Sequence, residues 1–310
     1  MDYKSIILDE LAVLKQRELK DGNTFKAIAY GKVISQLKHI PAITSMEDLK
    51  EVKGIGKSIQ QKIEEIFKTG ILEEAEIARQ DPTIHITEDL MNVYGIGRVK
   101  ANELVKKNGI LSISQLRDQV NLDPTLLNDN QKIGLQFYEH FLERIPRAEM
   151  KKHETKLLTF LKEVDPSIEG VIVGSYRRGE KNSGDIDMLI KSANKEVLSK
   201  FVKILIDKKY VTHTLAHGDK KFMGVCQTSK KGKSRRLDLL LTPPEEYAFA
   251  LLYFTGSDKF NVQMRKHALT KGYSLNEHGF TPKSPLMETE EEIFQFIDYP
   301  YVSPKHRKNS

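Results

Sequence analysis

The spacing of apolar positions changes about halfway along the chain. Near the N-terminus Ile6, Ile7, Leu11 and Leu14 recur at helical spacing. Phe25, Ile28, Ala29 and the run 32–37 continue a second amphipathic stretch, and Asp21-Gly22-Asn23 breaks the two. Residues 47–52 and 60–67 predict further helical segments on either side of Gly54-Ile55-Gly56, with Gly70 as a stop. Past Ile145-Pro146 one more amphipathic helix is expected over 150–164. The texture then turns β-rich, and residues 170–173, 185–190, 221–227 and 235–241 read as strands. Helices first and strands afterwards argue for an α+β fold rather than a doubly wound parallel sheet. Pro243-Pro244 closes the strand region, and a mixed remainder ends in a polar, basic tail at Ser310. Boundaries near 80, 146 and 245 divide the chain into 1–80, 81–145, 146–245 and 246–310.

One motif occurs twice. Val52-Lys53-Gly54-Ile55-Gly56-Lys57 is echoed by Val93-Tyr94-Gly95-Ile96-Gly97-Arg98, and helical pattern flanks both copies. Two copies make a paired motif rather than a solenoid. Glycines permit a tight turn, the central Ile can anchor it in the core, and the following helix N-terminus presents free N–H groups to an anion. Lys53 and Lys57 flank the first turn, Arg98 and Lys100 the second. A plain helix–helix corner with a C-cap glycine would explain one copy. Two copies, each with basic residues just after the turn, favour contact with a DNA backbone through Gly54, Gly56, Lys57, Gly95, Gly97 and Arg98. Phosphate contacts position a duplex without reading its bases, so the predicted binding is independent of sequence. The pattern resembles the helix-hairpin-helix motif. That resemblance implies a monovalent cation, Na⁺ or K⁺, held by backbone carbonyls of Lys50, Val52 and Ile55, and of Met91, Val93 and Ile96.

The candidate chemistry lies in the second half, in Gly174-Ser175-Tyr176-Arg177-Arg178 and the Gly184-Asp185-Ile186-Asp187 that follows. On a strand, Asp185 and Asp187 project to one side while Ile186 and Met188 point to the core. Carboxylates this close raise one another's pKa unless a cation lies between them, and Mg²⁺ prefers such hard oxygen ligands. Asp238, between Leu237 and Leu239 on a neighbouring predicted strand, supplies a third acid. Three carboxylates from adjacent strands, gathering two Mg²⁺ ions with Mn²⁺ as a possible substitute, form the two-metal arrangement for in-line phosphoryl displacement. Gly174 at a strand end lets a triphosphate approach, Ser175 can donate to it, and Arg178 adds charge for its phosphates.

Composition changes the picture little. Lys and Arg total 49 against 43 Asp and Glu over 310 residues, a net charge of +6, which suits a nucleic-acid partner as well as a solvated basic surface. Cys226 is the only cysteine, so neither an internal disulfide nor a Cys-based zinc site is possible, and a reducing compartment fits. The charged N-terminus is not a secretory signal, and no apolar run approaches the roughly 20 residues of a bilayer span. A soluble intracellular protein, with no membrane partner, is expected.

Taken together, these residues resemble family X DNA polymerases over nearly the whole chain, without any extra N-terminal domain. The resemblance implies a helical lyase-like segment (1–80), a helical DNA-binding segment (81–145), a catalytic palm with a mixed sheet (146–245) and a small nucleotide-selection segment (246–310). It implies that Asp185 and Asp187 bind both metals, and that Asp238 binds the catalytic metal and helps deprotonate the primer 3′-hydroxyl. Arg144, Gly174, Ser175, Arg178 and Gly184 would hold the incoming dNTP. Tyr253, Phe254 and Gly256 would pack against its sugar, Asp258 and Asn261 would contact it, and Arg236 and Arg265 would contact DNA. The implied activity is template-directed filling of short gaps in base excision repair, with release of pyrophosphate. Lys62 falls at the Schiff-base lysine of a 5′-deoxyribose phosphate lyase, which must be neutral to attack an aldehyde, so burial or neighbouring cations are expected around it.

Several residues depart from the family pattern. Ser58 replaces a helper lysine, and Glu73 and Glu74 stand where basic residues face the 5′-phosphate. Leu240 replaces a gating arginine, and Val262 a basic residue near the template. The implied partners are gapped or nicked DNA with a 5′-phosphate, dNTPs, DNA ligase and other repair proteins. The chain would act as a monomer, in the nucleus if eukaryotic, or wherever viral or host DNA is repaired. Two other readings are a template-independent nucleotidyltransferase of the same fold and a non-catalytic scaffold that binds DNA nicks. The short turn 228–234 and the Tyr253-Phe254 pair count against the former.

Overall fold

A computed structural model describes residues 1–308; Asn309 and Ser310, the end of the expected basic tail, lie outside the described residues. The chain divides into two units, Met1–Gln136 and Phe137–Ser310.

The first unit is helical: Lys4–Lys20, Thr24–Leu37, Lys57–Thr69, Glu73–Arg79, Pro82–Met91, Arg98–Asn108, Ile113–Leu122 and Asp129–Gln136. The predicted periodicity is realised as a core in which Ile7, Leu11, Leu14, Val33, Leu37, Ile63, Ile66 and Leu72 are fully buried. Each large aliphatic side chain removed from water in this way contributes about 1.5–3 kcal/mol. Gly70 ends its helix in the left-handed conformation, the C-cap its position suggested.

The second unit carries the sheet. Its strands are β1 (Ile145–Pro146), β2 (Glu169–Ile172), β3 (Asn182–Ser183), β4 (Ile186–Lys191), β5 (Val211–His217), β6 (Lys221–Cys226), β7 (Arg235–Thr242), β8 (Ser274–Asn276) and β9 (Gly279–Thr281). The main sheet has the order β2-β4-β7-β6-β5 and is mixed, because only β4 and β7 run parallel. Helices Arg147–Val164 and Glu196–Asp207 bury Leu157, Leu161, Phe201 and Leu205 against Ile186, Met188, Phe222, Leu237 and Leu239. On the other face Leu189 packs with Val173 and Ala250. The inner strand β4 is therefore apolar on both sides, as a parallel pair demands. Beyond the sheet, helices Tyr247–Thr255, Asp258–Thr270 and Glu290–Phe296 close a second core around Phe249, Phe260, Phe294 and Ile297. The α+β class and mixed sheet are as expected. The strand expected at 185–190 begins one residue later, which leaves Asp185 on the turn that leads into it.

No helix among the described residues is long and apolar enough to cross a membrane.

Candidate active site

The β4–β7 register sets Asp187 directly opposite Asp238, while the flanking Ile186, Met188, Leu237 and Leu239 are fully buried. The parallel pairing thus places two carboxylates on one face at the end of two inner strands, with Asp185 one residue before the strand. Burial pushes the Asp187 carboxyl up to about 7, reinforced by the negative charges of Asp185 and Asp238. Burial also raises Asp238. The other acids lean on cations: Arg236 on β7 donates to Asp185, and Lys221 Nζ on β6 lies 3.4 Å from Asp238 Oδ2.

Among the described residues no group of three or more His, Cys, Asp or Glu side chains is drawn together closely enough to hold a metal ion. The acids that the sequence groups at this site are Asp185, Asp187 and Asp238. Their backbones are gathered, but two of the side chains turn to Arg236 and Lys221, because like charges in a low-dielectric site repel. The oxygen donors and the raised Asp187 still fit a divalent cation, which would relieve the same repulsion.

The cleft beside these acids has a volume of about 410 Å³ and is walled by Arg144, Gly174, Ser175, Arg178, Gly184, Tyr253, Phe254, Gly256, Asp258 and Asn261, with Asp185, Asp187 and Ser257. Every residue assigned to nucleotide contact by sequence thus lies on one surface. Gly174 follows β2 at φ +60°, and a Cβ there would stand 2.9 Å from Asp187 Oδ2. Both the backbone angle and the space demand glycine. Ser175 Oγ donates to the buried Ser183 Oγ at 2.9 Å. Arg144 is splayed by Asn182, which accepts from its Nε at 2.8 Å and, through the backbone carbonyl, from Nη2 at 3.2 Å. Arg178 Nη1 donates to Thr255 O at 2.7 Å, while its buried Nε has no hydrogen-bond partner, and burial lowers the pKa of its guanidinium. Such a half-solvated cation is a strong attractor for phosphate oxygens. Tyr253 and Phe254 pack edge to face at 5.0 Å, Asn261 Nδ2 donates to Tyr253 O at 2.8 Å, and Arg265 lies over the Tyr253 ring.

Sequence reading missed Lys221, Asn182 and Ser183. Lys221 could have been found: it lies two residues from Met223, the residue paired with Asp238, on the adjacent strand. A buttress was also missed. The buried Glu290 accepts from Arg177 at 2.8 Å and from Arg307 at 2.6 Å, Arg177 donates to Thr255 Oγ1 at 2.7 Å, and Ser257 N donates to Arg307 O at 3.1 Å. These contacts join residues 17 to 113 positions apart and leave no local signature.

In the first unit the paired turns have the same geometry. Gly54 and Gly95 are left-handed at φ +97° and +84°, and Gly56 and Gly97 are extended N-caps of the helices that begin at Lys57 and Arg98. No atom lies within 4 Å of the space a Cβ would take at Gly56 or Gly97, so a backbone phosphate can approach the free N–H groups there. The second turn is braced from behind by Gln131 Nε2, which donates to Gly95 O at 2.9 Å.

Lys62 lies on the helix that follows the first turn, in a pocket of about 340 Å³ lined by Gly54 and Gly56 of that turn and by residues that include Arg17, Lys26, Tyr30, Ser58 and Glu74. Its side chain is 16% exposed, which agrees with the expected burial. Its ion-pair partner, however, is the carboxylate of Glu74 rather than a cation. Glu74 is also held by Arg17 Nη2 at 2.6 Å. Burial alone would raise its pKa, but the hydrogen bonds from Lys62 and Arg17 keep it below the ordinary value.

Four family models match successive stretches of the chain. Residues 144–244 match the family model of the DNA polymerase beta palm and 250–308 that of the DNA polymerase beta thumb. Residues 6–72 match a helix-hairpin-helix domain, and 88–142 the fingers domain of DNA polymerase lambda. DNA polymerase lambda of Rattus norvegicus is 30% identical over 99% of this chain and 56% of its own length. DNA polymerase lambda of Arabidopsis thaliana is 29% identical over 92% of the chain and 58% of its own. The DNA polymerase type-X family protein pol4 of Schizosaccharomyces pombe is 26% identical over 97% and 63%. The chain therefore spans somewhat more than half the length of these relatives.

Proposed function

The chain belongs to family X of the DNA polymerases, and on that footing we propose that it is a template-directed DNA polymerase that fills short gaps during base excision repair. The observation that carries this reading is the single cleft in which ten nucleotide-contact residues adjoin Asp185 and Asp187. Arg144, Ser175 and Arg178 bind the triphosphate and orient its α-phosphorus toward the acids. The primer 3′-hydroxyl gives up its proton on the side of Asp238, its oxygen forms the new bond to the α-phosphorus, and pyrophosphate leaves with the bonding pair. Asp185, Asp187 and Asp238 would hold two Mg²⁺ ions (or Mn²⁺), which supply charge neutralisation and a more acidic hydroxyl. Tyr253, Phe254 and Gly256 shape the sugar side, where a ribose 2′-hydroxyl would crowd the backbone. Asp258 and Asn261 line the nucleotide, while Arg236 and Arg265 face DNA.

The same reading assigns residues 1–80 and 81–145 to DNA binding through the two Gly-Ile-Gly turns, with Na⁺ or K⁺ on the carbonyls of Lys50, Val52 and Ile55 and of Met91, Val93 and Ile96. It assigns 146–245 to catalysis and 246–310 to nucleotide selection. Lys62 is the amine of a 5′-deoxyribose phosphate lyase. The product is a nick that a DNA ligase can seal, in the compartment where DNA is repaired. Extension of a primer in a one-nucleotide gap with a 5′-phosphate tests the proposal. Mg²⁺-dependent addition of the complementary nucleotide alone is expected, and equal addition without a template strand would contradict it.

A further inference from the structure

We infer that Glu74 is the base that removes the C2′ proton at the Lys62 site, an inference that rests on the lyase reading of that pocket. A general base must lie within hydrogen-bond reach of the atom it serves, and an activated pair is usually fixed by a third group. Lys62, Glu74 and Arg17 have this layout. One oxygen of Glu74, Oε1, is pinned by Arg17 at 2.6 Å, and the other, Oε2, meets Lys62 Nζ. The bond from Arg17 fixes the carboxylate rotamer, so Oε2 points at the amine. When C1′ of a sugar is bonded to Nζ, C2′ is one bond further on, beside the oxygen that Nζ meets. The pocket of about 340 Å³ has room for a sugar phosphate, with Lys26 on its wall to meet a phosphate.

Glu74, which stands where the family resemblance puts a basic residue facing the 5′-phosphate, therefore has another role. Its charge is balanced by Lys62 and Arg17, and its Oε2 sits against the amine that the sugar would join. Lys62, the ammonium of the ion pair, passes a proton to Glu74 as its nitrogen adds to the C1′ aldehyde; that proton leaves with the carbinolamine oxygen as water, giving an iminium and restoring the Glu74 carboxylate. Glu74 Oε2 takes the C2′ hydrogen as a proton. The C–H electron pair becomes the C2′=C3′ double bond, and the C3′–O bond breaks with its pair on the phosphate oxygen. The downstream strand is left 5′-phosphorylated, water hydrolyses the iminium to free Lys62, and Glu74 returns its proton to solvent.

The test uses the full chain and an incised abasic duplex with two readouts: the covalent adduct trapped by borohydride, and release of the sugar phosphate. In Glu74→Gln the adduct should be at least as abundant as in the parent, while release falls about 10²-fold, the ordinary contribution of a general base. Glu74→Asp should recover part of the release. Release by Glu74→Gln at the parent rate would overturn the inference. So would parallel loss of adduct and release with DNA binding intact, because Glu74 would then merely hold Lys62 in place. Lys62→Ala separates the two levels. If it traps as well as the parent, or if the parent traps nothing, the lyase reading fails and Glu74 with it. If Lys62→Ala loses the adduct while Glu74→Gln behaves as the parent, only the role of Glu74 is lost.

Discussion

The cleft beside Asp187 and the pocket around Lys62 treat their carboxylates in opposite ways. In the second unit Asp187 is half-buried beside two other acids, and desolvation with their negative charge pushes its carboxyl up to about 7. In the first unit Glu74 is divided between Lys62 and Arg17 and is held below its ordinary value. The fold has left one pocket short of positive charge and balanced the other internally. A charge deficit among hard oxygens invites a divalent cation and a triphosphate carrying it. A balanced amine–carboxylate pair suits proton transfer to and from an organic substrate.

The largest expected effect tests the deficit. Asp238→Ala should reduce nucleotide incorporation by at least about 10³-fold while leaving the affinity for gapped DNA nearly unchanged, because the lost group acts on the transition state. Single-turnover extension and a binding titration measure the two quantities. Next, Gly174→Ala sets a methyl group 2.9 Å from Asp187 Oδ2 on a left-handed backbone and should lower incorporation by about 10²-fold, since small displacements of reacting groups have effects of that size.

A third test reads the raised carboxyl as stability. The folded pKa of Asp187 lies above its ordinary 3.8, so the protonated form suits the fold. Its contribution is present in full below about 3.8 and fades as pH rises through about 7. Asp187→Asn should therefore stabilise the metal-free protein above pH 7, on the order of 2 kcal/mol, with little effect near pH 4. Denaturant midpoints at the two pH values check it. His153 has the opposite sign: burial lowers it to about 4, so its contribution is present above 6.5 and is lost as pH falls toward about 4. The smallest effect is at the paired turns. Lys57→Ala and Arg98→Ala should each lower the salt slope of DNA binding by about 0.9, equally on any sequence.

The legible parts of the fold are those with strong local periodicity. Helices Lys4–Lys20, Thr24–Leu37 and Arg147–Val164, and strands β4, β6 and β7, announce themselves through regularly spaced apolar residues. Strand β5 does not. It lies at the sheet edge, two register shifts break its alternation, and few of its residues are buried. The helix Glu196–Asp207 carries a clear apolar stripe (Val197, Leu198, Phe201, Val202 and Leu205), but it lies in a region where strands dominate the pattern. At the site, Asp187 and Asp238 were legible because a polar residue between buried aliphatics on a strand has few reasons to be there. The ion pairs of Asp185 with Arg236 and of Lys62 with Glu74 were not legible, because sequence spacing does not fix where long side chains end.

Counting bound metal ions tests the two-metal carboxylate site most directly. Mn²⁺ bound to the complex with gapped DNA and a non-hydrolysable dNTP analogue can be titrated by electron paramagnetic resonance. Two ions per parent complex and one in Asp238→Ala are expected. The same number in both, or none in the parent, would contradict that site.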